Sequence, residues 1–520
     1  MHSVVVQVGK ADVSAQDVLA VARGGARVEI GPDALAEMAA ARARIDALAA
    51  EPRPVYGVST GFGALAVRHI SPELRAQLQR SLVRSHAAGM GPLVETEVVR
   101  ALMFLRMKTL ASGRTGVRPL VAQTMAALLN AGITPAVREF GSLGCSGDLA
   151  PLSHCALVLM GEGTAFGPDG VEKDAAELLA AAGIEPVELL EKEGLALING
   201  TDGMLGMLVM ALADLQRLYT TADITAAMTL EALLGTDKVL APELHAPIRP
   251  HPGQAAAAAN MLAVLRGSGL TGHHQDDAPR VQDAYSIRCA PQVAGAGRDT
   301  LAHAALVADR ELAASVDNPV VLPDGRVESN GNFHGAPVAY VLDFLAIAAA
   351  DLASISERRT DRLLDKARSH GLPAFLADDP GVDSGLMIAQ YTQAALVSEN
   401  KRLAVPASVD SIPSSAMQED HVSMGWSAAR KLRQAVANLG RVLAVELVAS
   451  ARALEIREQA AEETGVLAPA TAAAVAAARA AGVGGPGRDR FLSPDLEAAA
   501  ELVASGTLIG AVEQVTGPLA

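Results

Sequence analysis

From Met204 to about Leu234 the chain carries a long helical pattern in which charge is reduced to Asp214, Arg217, Asp223 and Glu231. A helix with so little charge has almost no face to give to water and is buried on nearly all sides. A second long pattern begins at Trp426, where Leu432, Val436, Leu439, Leu443 and Leu447 recur at helical spacing and make a stripe suited to a core or a subunit interface. A third, Val338 to Ser356, is rich in Ala, Leu and Ile. Half of all residues are hydrophobic but only 3% are aromatic, so these helices pack on Ala, Leu and Val, which favours close-packed helices. The 520 residues exceed the usual size of one compact core. The expectation is a mainly α protein with a long-helix bundle at its centre and a smaller mixed N-terminal region. Residues 1–200 form that region, 201–480 the bundle, and 481–520 a tail with a short helix near Leu496 to Ser505, after the break at Gly482-Val483-Gly484-Gly485-Pro486-Gly487.

The N-terminal region alternates. A β-rich run from Val4 and another at Arg27 to Ile30 flank a helical stretch around Val13 to Arg23, the makings of a small sheet. Pro32 and Asp33 open a helix through Ala50, and Ser71-Pro72-Glu73 opens another, with serine as cap and proline at the first position. That second helix carries Leu74, Leu78, Leu82 and His86. Between them Tyr56-Gly57-Val58-Ser59-Thr60-Gly61-Phe62-Gly63 holds too much glycine for a helix and reads as a loop.

The stretch with the most chemistry in it is Gly141-Ser142-Leu143-Gly144-Cys145-Ser146-Gly147-Asp148-Leu149-Ala150-Pro151-Leu152. Its plainer reading is a turn and a helix start capped by Ser146 or Asp148, or a loop that holds an anion on successive N–H groups. A phosphate loop does not fit, because no Gly-Lys-Ser/Thr follows, and a hydrolase elbow lacks its Gly-x-Ser-x-Gly spacing. The remaining reading is covalent. Gly147 has no Cβ and can fold its amide nitrogen back onto the carbonyl carbon of Cys145, closing a five-membered ring. Loss of water from the ring, and of a second water from the Ser146 side chain, leaves an imidazolone with an exocyclic methylidene, a strong electrophile made without a free cofactor.

This run resembles the signature of the ammonia-lyases that use a 4-methylideneimidazole-5-one (MIO) group, and especially the histidine branch of that family. The usual tripeptide there is Ala-Ser-Gly. Cys145 departs from it, but the first side chain only hangs from the ring, so the electrophile is left intact. Tyr56 to Gly63 matches the family's Tyr-Gly-Val-Asn-Thr-Gly-Phe-Gly, with Ser59 for Asn, and implies a catalytic Tyr56. Asn199-Gly200-Thr201 implies an asparagine near the electrophile, although alone it reads as a helix C-cap with Asn or Gly left-handed. The resemblance of Gln282-Asp283-Ala284-Tyr285-Ser286-Ile287-Arg288-Cys289 implies Tyr285 as the base for the β-proton, Arg288 as the clamp on the α-carboxylate and Gln282 among the substrate contacts. On a helical turn Tyr285 and Arg288 would face one side. Asn332-Phe333-His334-Gly335 implies Phe333 beside the ring, and Met417-Gln418-Glu419-Asp420-His421-Val422-Ser423-Met424 implies Glu419 at the side-chain end of the substrate. Ser85-His86 coincides with the family's substrate-selecting pair, Ser-His in the histidine enzymes, so that His86 and Glu419 would orient an imidazole.

The matches run from about Tyr56 to Met424. They imply a homotetramer with shared active sites that converts L-histidine to trans-urocanate and ammonia, the first step of histidine degradation. Tyrosine and phenylalanine ammonia-lyases and aminomutases share that scaffold and differ in a few pocket residues. A reading from another class is a helical scaffold in which Cys145-Ser146-Gly147 never cyclises.

The net charge of -15 argues against nucleic acid or an anionic membrane as the main partner. Three cysteines, Cys145, Cys155 and Cys289, have no metal-type spacing and suit a reducing compartment, and Met1 to Gln7 lacks the pattern of a secretion signal, so a cytoplasmic protein is expected. The apolar run Met204 to Ala213 is too short to span a membrane. His273-His274-Gln275-Asp276-Asp277 offers metal-type side chains, but their adjacency suits neither helix nor strand ligation; a polar loop is expected, and no metal site.

Overall fold

A computed structural model describes residues 4–9, 13–51, 54–272, 281–460 and 466–520. Eighteen α-helices dominate the described residues, with a few short strands between them, so the protein is mainly α as its pattern predicts. The chain divides into two compact units. One comprises Met1–Met210, Ala305–Asp343 and Pro406–Arg430, the other Ala211–Ala304, Phe344–Val405 and Lys431–Ala520.

In the first unit Val5–Val8 pairs in parallel with Arg27–Ile30 through the helix Ala15–Ala22, giving the small terminal sheet expected. That helix starts on a capping box, the Ser14 hydroxyl accepting from Asp17 N–H and the Asp17 carboxylate from Ser14 N–H. The helices Pro32–Ala50 and Pro72–His86 begin at the prolines that predict them. Ser71 turns its hydroxyl to Glu73 instead of capping the backbone. The helix Thr96–Leu110 is buried along most of its length. Its Arg106 is fully enclosed, donates to the carbonyls of Ala196, Asn199 and Val316 at 3.0, 2.7 and 2.9 Å, and pairs with Asp202 at 3.1 Å. A buried guanidinium needs partners for its charge and donors, and the two terminal nitrogens of this one find them in segments distant in sequence, which it ties to one another. Small residues let helices close up: a Cβ on Gly206 would sit 2.9 Å from the Cβ of Ala101.

The second unit is built on long helices. Asp202–Ala232, which enters it after Met210, lies within two residues of the span read from Met204 to Leu234. The Glu446 charge in this core is paired. Glu446 is completely buried and accepts from Arg359, from Ser356 at 2.6 Å, and from Thr225 and Thr229 at 3.0 Å each. The helix Ala336–Leu364 is long and apolar enough to cross a membrane, but 61% of its most apolar window is buried, as in a core helix. At the C-terminus the expected closing helix is Ser493–Ala504; a further helix, Thr507–Thr516, follows it because Gly506, at φ 76°, turns the chain instead of ending it.

Candidate active site

The loop before Leu149 is anchored on both sides. Leu143 O accepts from Met424 N–H at 2.9 Å and Gly144 O from the Ser423 hydroxyl at 3.0 Å. On the other side Asp148 N–H donates to Gly200 O at 2.7 Å, beside a bridge between Gly147 and Gly200. Gly147 has φ 77°, and a Cβ there would lie 1.9 Å from the Gly200 oxygen, so only glycine fits. Asp148 does cap a helix, but one distant in sequence. Its Oδ2 accepts from Gly203 and Met204 N–H at 2.9 Å each, the first turn of Asp202–Ala232, and Oδ1 accepts from the Ser142 hydroxyl at 3.1 Å. Burial pushes this carboxyl up to about 7 despite those donors, with the charge of Asp202 adding to the rise.

Ser146, half-buried, lines a cavity of about 500 Å³ together with Tyr56, His86, Asn199, Asn318 and Glu419, over an apolar floor that includes Leu78, Leu82, Leu149, Leu195 and Ile198. A mostly apolar hollow with a few convergent polar groups is the ordinary form of a small-molecule site. His86 ends its helix with Nδ1 2.9 Å from Leu82 O. A carbonyl can only accept, so Nδ1 carries the proton and Nε2 is left as an acceptor. Burial lowers the imidazole pKa, partly offset by the Leu82 bond and the charge of Glu419, and His86 is neutral near pH 7. The Tyr56 hydroxyl accepts from Gly63 N–H at 3.5 Å, and its ring meets Phe62 edge-on at 6.5 Å. Burial raises this phenol's pKa and the charges of Glu419 and Asp317 add to it, so it stays protonated. The Cys145 thiol is pushed up by burial and then by Glu419, which makes it a poor nucleophile.

Asn199 does not adopt the left-handed cap its Asn-Gly pair suggests; it sits at φ -105°, ψ 86°. Its carbonyl is taken by Arg106, and its Nδ2 donates to Asn318 O at 2.9 Å. The Oδ1 atom is buried without a partner among the described residues.

The other predicted residues lie elsewhere. Gln282 and Tyr285 line a separate hollow of about 400 Å³ in the second unit, with Arg362 and His370. Tyr285 and Arg288 do share one side of a helical turn: the guanidinium lies 4.5 Å over the phenol ring, and Nε donates to Asp283 O at 3.0 Å. Tyr285 is 72% exposed. Phe333 is half-buried in a turn before Ala336–Leu364 and is not part of the cavity wall. The histidine and aspartate run from His273 to Asp277 lies outside the described residues, among which no group of three or more metal-type side chains gathers. Sequence reading missed Asn318, which lines the cavity, and Asp317 and Lys192 behind it. The Asn-Pro turn at 318–319 was the one available signal; the pairing of Lys192 with Asp317 left none.

A family model described as aromatic amino acid lyase matches residues 13–480. The chain is 78% identical to a histidine ammonia-lyase of Streptomyces coelicolor over 519 residues, covering 100% of both. Among solved structures, a tyrosine aminomutase from Streptomyces globisporus is similar with a TM-score of 0.92 and 39% identity, over 99% of this chain and 100% of that one. A histidine ammonia-lyase from Trypanosoma cruzi is similar with a TM-score of 0.88 and 37% identity, over 98% and 95%.

Proposed function

The chain belongs to the aromatic amino acid lyase family, and from that premise we propose that it removes ammonia from L-histidine without oxidation, leaving trans-urocanate. The observation that carries the choice of amino acid is the state of His86. Its Nε2 is an acceptor in a cavity that also holds the Glu419 carboxylate, and an imidazole brings an N–H that needs such a partner. A phenyl ring brings none.

We read Cys145-Ser146-Gly147 as the source of a MIO group. The fit rests on Gly147, held where no side chain is tolerated, and on the unpartnered Oδ1 of Asn199, an acceptor on the wall of the same cavity as Ser146. Such a group supplies an electrophile for the substrate's α-amino nitrogen and makes ammonia a better leaving group. The chain's own residues do the rest. Asn199 Oδ1 accepts from the α-amino group, and Tyr56, protonated, is a donor beside it. Tyr285 takes the β-proton, Arg288 grips the α-carboxylate through two parallel hydrogen bonds, and Gln282 and Phe333 pack against the substrate. Because Tyr285 is mostly exposed, we assign it and Arg288 to the cavity of another copy, in a homotetramer with shared sites. The free cysteines fit a reducing, cytoplasmic setting.

The test is incubation with histidine, tyrosine and phenylalanine separately, following ammonia and the ultraviolet absorbance of the conjugated product, with the intact mass of the subunit. Histidine is expected to react fastest, and the subunit to be two waters lighter than its sequence. Faster reaction of tyrosine would overturn the choice of substrate; a β-amino acid product would favour an aminomutase, and an undehydrated active chain would overturn the MIO reading.

A further inference from the structure

Behind Asn199 lies a chain of polar contacts that the chemistry above does not use. The Asn318 carbonyl that receives Asn199 Nδ2 belongs to a residue held by two hydrogen bonds of its own and by a third on the carbonyl of the preceding residue. Asn318 N–H donates to Asp317 Oδ1 at 2.8 Å, Asn318 Oδ1 accepts from Asn330 N–H at 2.9 Å, and Asn330 Nδ2 donates to Asp317 O at 3.0 Å. Asp317 Oδ2 in turn takes Lys192 Nζ at 2.6 Å, and both of these side chains are completely buried. Lys192 holds φ 74°, a left-handed backbone unusual for a residue with a side chain. Burying two charges costs desolvation that a pair of apolar residues would avoid, so such a pair calls for a reason other than stability.

Geometry supplies the reason. A carbonyl oxygen only accepts, so the Asn318 carbonyl dictates which end of the Asn199 carboxamide faces it, and Oδ1 must face away. Were Asn318 free to move, the amide could rotate, and the cavity would be offered a donor in place of an acceptor. We infer that the Lys192–Asp317 ion pair, together with Asn330, is a positioning device: it fixes the Asn318 carbonyl and so presents Asn199 Oδ1 as the acceptor for the substrate's α-amino group. This rests on the lyase reading above, and it assigns roles to Lys192, Asp317, Asn318 and Asn330, none of which reacts.

Asp317→Asn would leave a buried ammonium unpaired and endanger the fold, so the test uses Asn330→Ala, which from a half-buried position removes the Nδ2 bond to the Asp317 carbonyl, loosening the Asp317–Asn318 peptide, while keeping the backbone N–H bond to Asn318 Oδ1 and both charges. Histidine turnover is measured for the wild type, Asn330→Ala, Asn199→Ala and the double variant, with intact mass and melting temperature for each. Asn330→Ala is expected to melt close to the wild type and to be two waters lighter than its sequence, with kcat/KM lowered about tenfold. In the Asn199→Ala background the same change is expected to cost less than about twofold, because the residue it acts through is gone. Equal costs in both backgrounds would overturn the inference, and so would an Asn330→Ala subunit that has not lost the two waters, since the effect would then lie in ring closure. A wild type that releases no ammonia from histidine would defeat the lyase reading itself, whatever Asn330 does.

Discussion

His86 and Asp148 show how burial sets the chemistry of single side chains in the first unit. His86 is a neutral acceptor because the Leu82 carbonyl fixes its tautomer and burial disfavours its charge. Leucine at this position would leave a substrate N–H without a partner, a cost of about 1–3 kcal/mol. His86→Leu is therefore expected to lower kcat/KM for histidine by roughly ten- to a hundredfold and to relax discrimination against phenylalanine. A melting temperature that falls while the ratio of the two kcat/KM values stays put would reduce His86 to a packing residue. Asp148 gives a pH signature. Its folded pKa is raised from 3.8 to about 7, so the folded state holds the proton more tightly than the unfolded chain does. The stability tied to it is full below about 4 and is lost as pH rises through about 7. Asp148→Asn keeps an oxygen for the Gly203 and Met204 N–H groups but cannot titrate. The stability of the wild type minus that of the variant should therefore fall across this window; a flat difference in denaturant melts would mean that Asp148 does not titrate there.

At the scale of elements, the long helices are held in register by buried charge as well as by Ala, Leu and Val. Glu446 joins its helix Gly425–Ala460 to Asp202–Ala232 through Thr225 and Thr229, and to Ala336–Leu364 through Ser356 and Arg359. Glu446→Ala would strand Arg359 without its counter-charge, and a loss of about 3–5 kcal/mol is expected in chemical denaturation. A change below about 1 kcal/mol would show that water or a rearranged partner relieves the guanidinium. None of this network could be read from the sequence, because its members are more than 80 residues from Glu446 and each passes locally for an ordinary helix residue. The helices themselves were legible: sparse charge from Met204 to Leu234 and proline at the start of Pro32–Ala50 and Pro72–His86 are local signals with local causes. Thr507–Thr516 escaped notice because glycine reads as a stop, and only the left-handed turn at Gly506 shows it to be a corner. The same divide runs through the site. Ser146, Tyr56, His86, Asn199 and Glu419 stand in motifs that span a few residues, whereas Lys192 and Asp317 are 125 residues apart and Asp148 reaches 55 residues to its helix.

For the whole molecule, we have proposed that Tyr285 and Arg288 of one copy serve the Ser146 cavity of another. Tyr285 is mostly exposed and lines a hollow of its own, apart from the residues that line the Ser146 cavity. If another copy supplies it, each site in the assembly draws its electrophile-forming serine and its base from different chains. Ser146→Ala has no hydroxyl to eliminate and should assemble with almost no turnover, and Tyr285→Phe should lower the rate by roughly 10²–10⁴. Co-expressed in one cell, the two inactive chains form mixed assemblies in which some cavities pair an intact Ser146 from one chain with an intact Tyr285 from the other. Activity in the mixture should then exceed that of either variant alone by at least about tenfold, and that gain should be absent when the two are purified separately and combined without exchange of subunits. The copurified mixture gives the decisive reading. Turnover no higher than the sum of the two variants, in assemblies shown by mass to contain both chains, would mean that serine and tyrosine must come from the same chain, and would return Tyr285 and Arg288 to the cavity of their own copy.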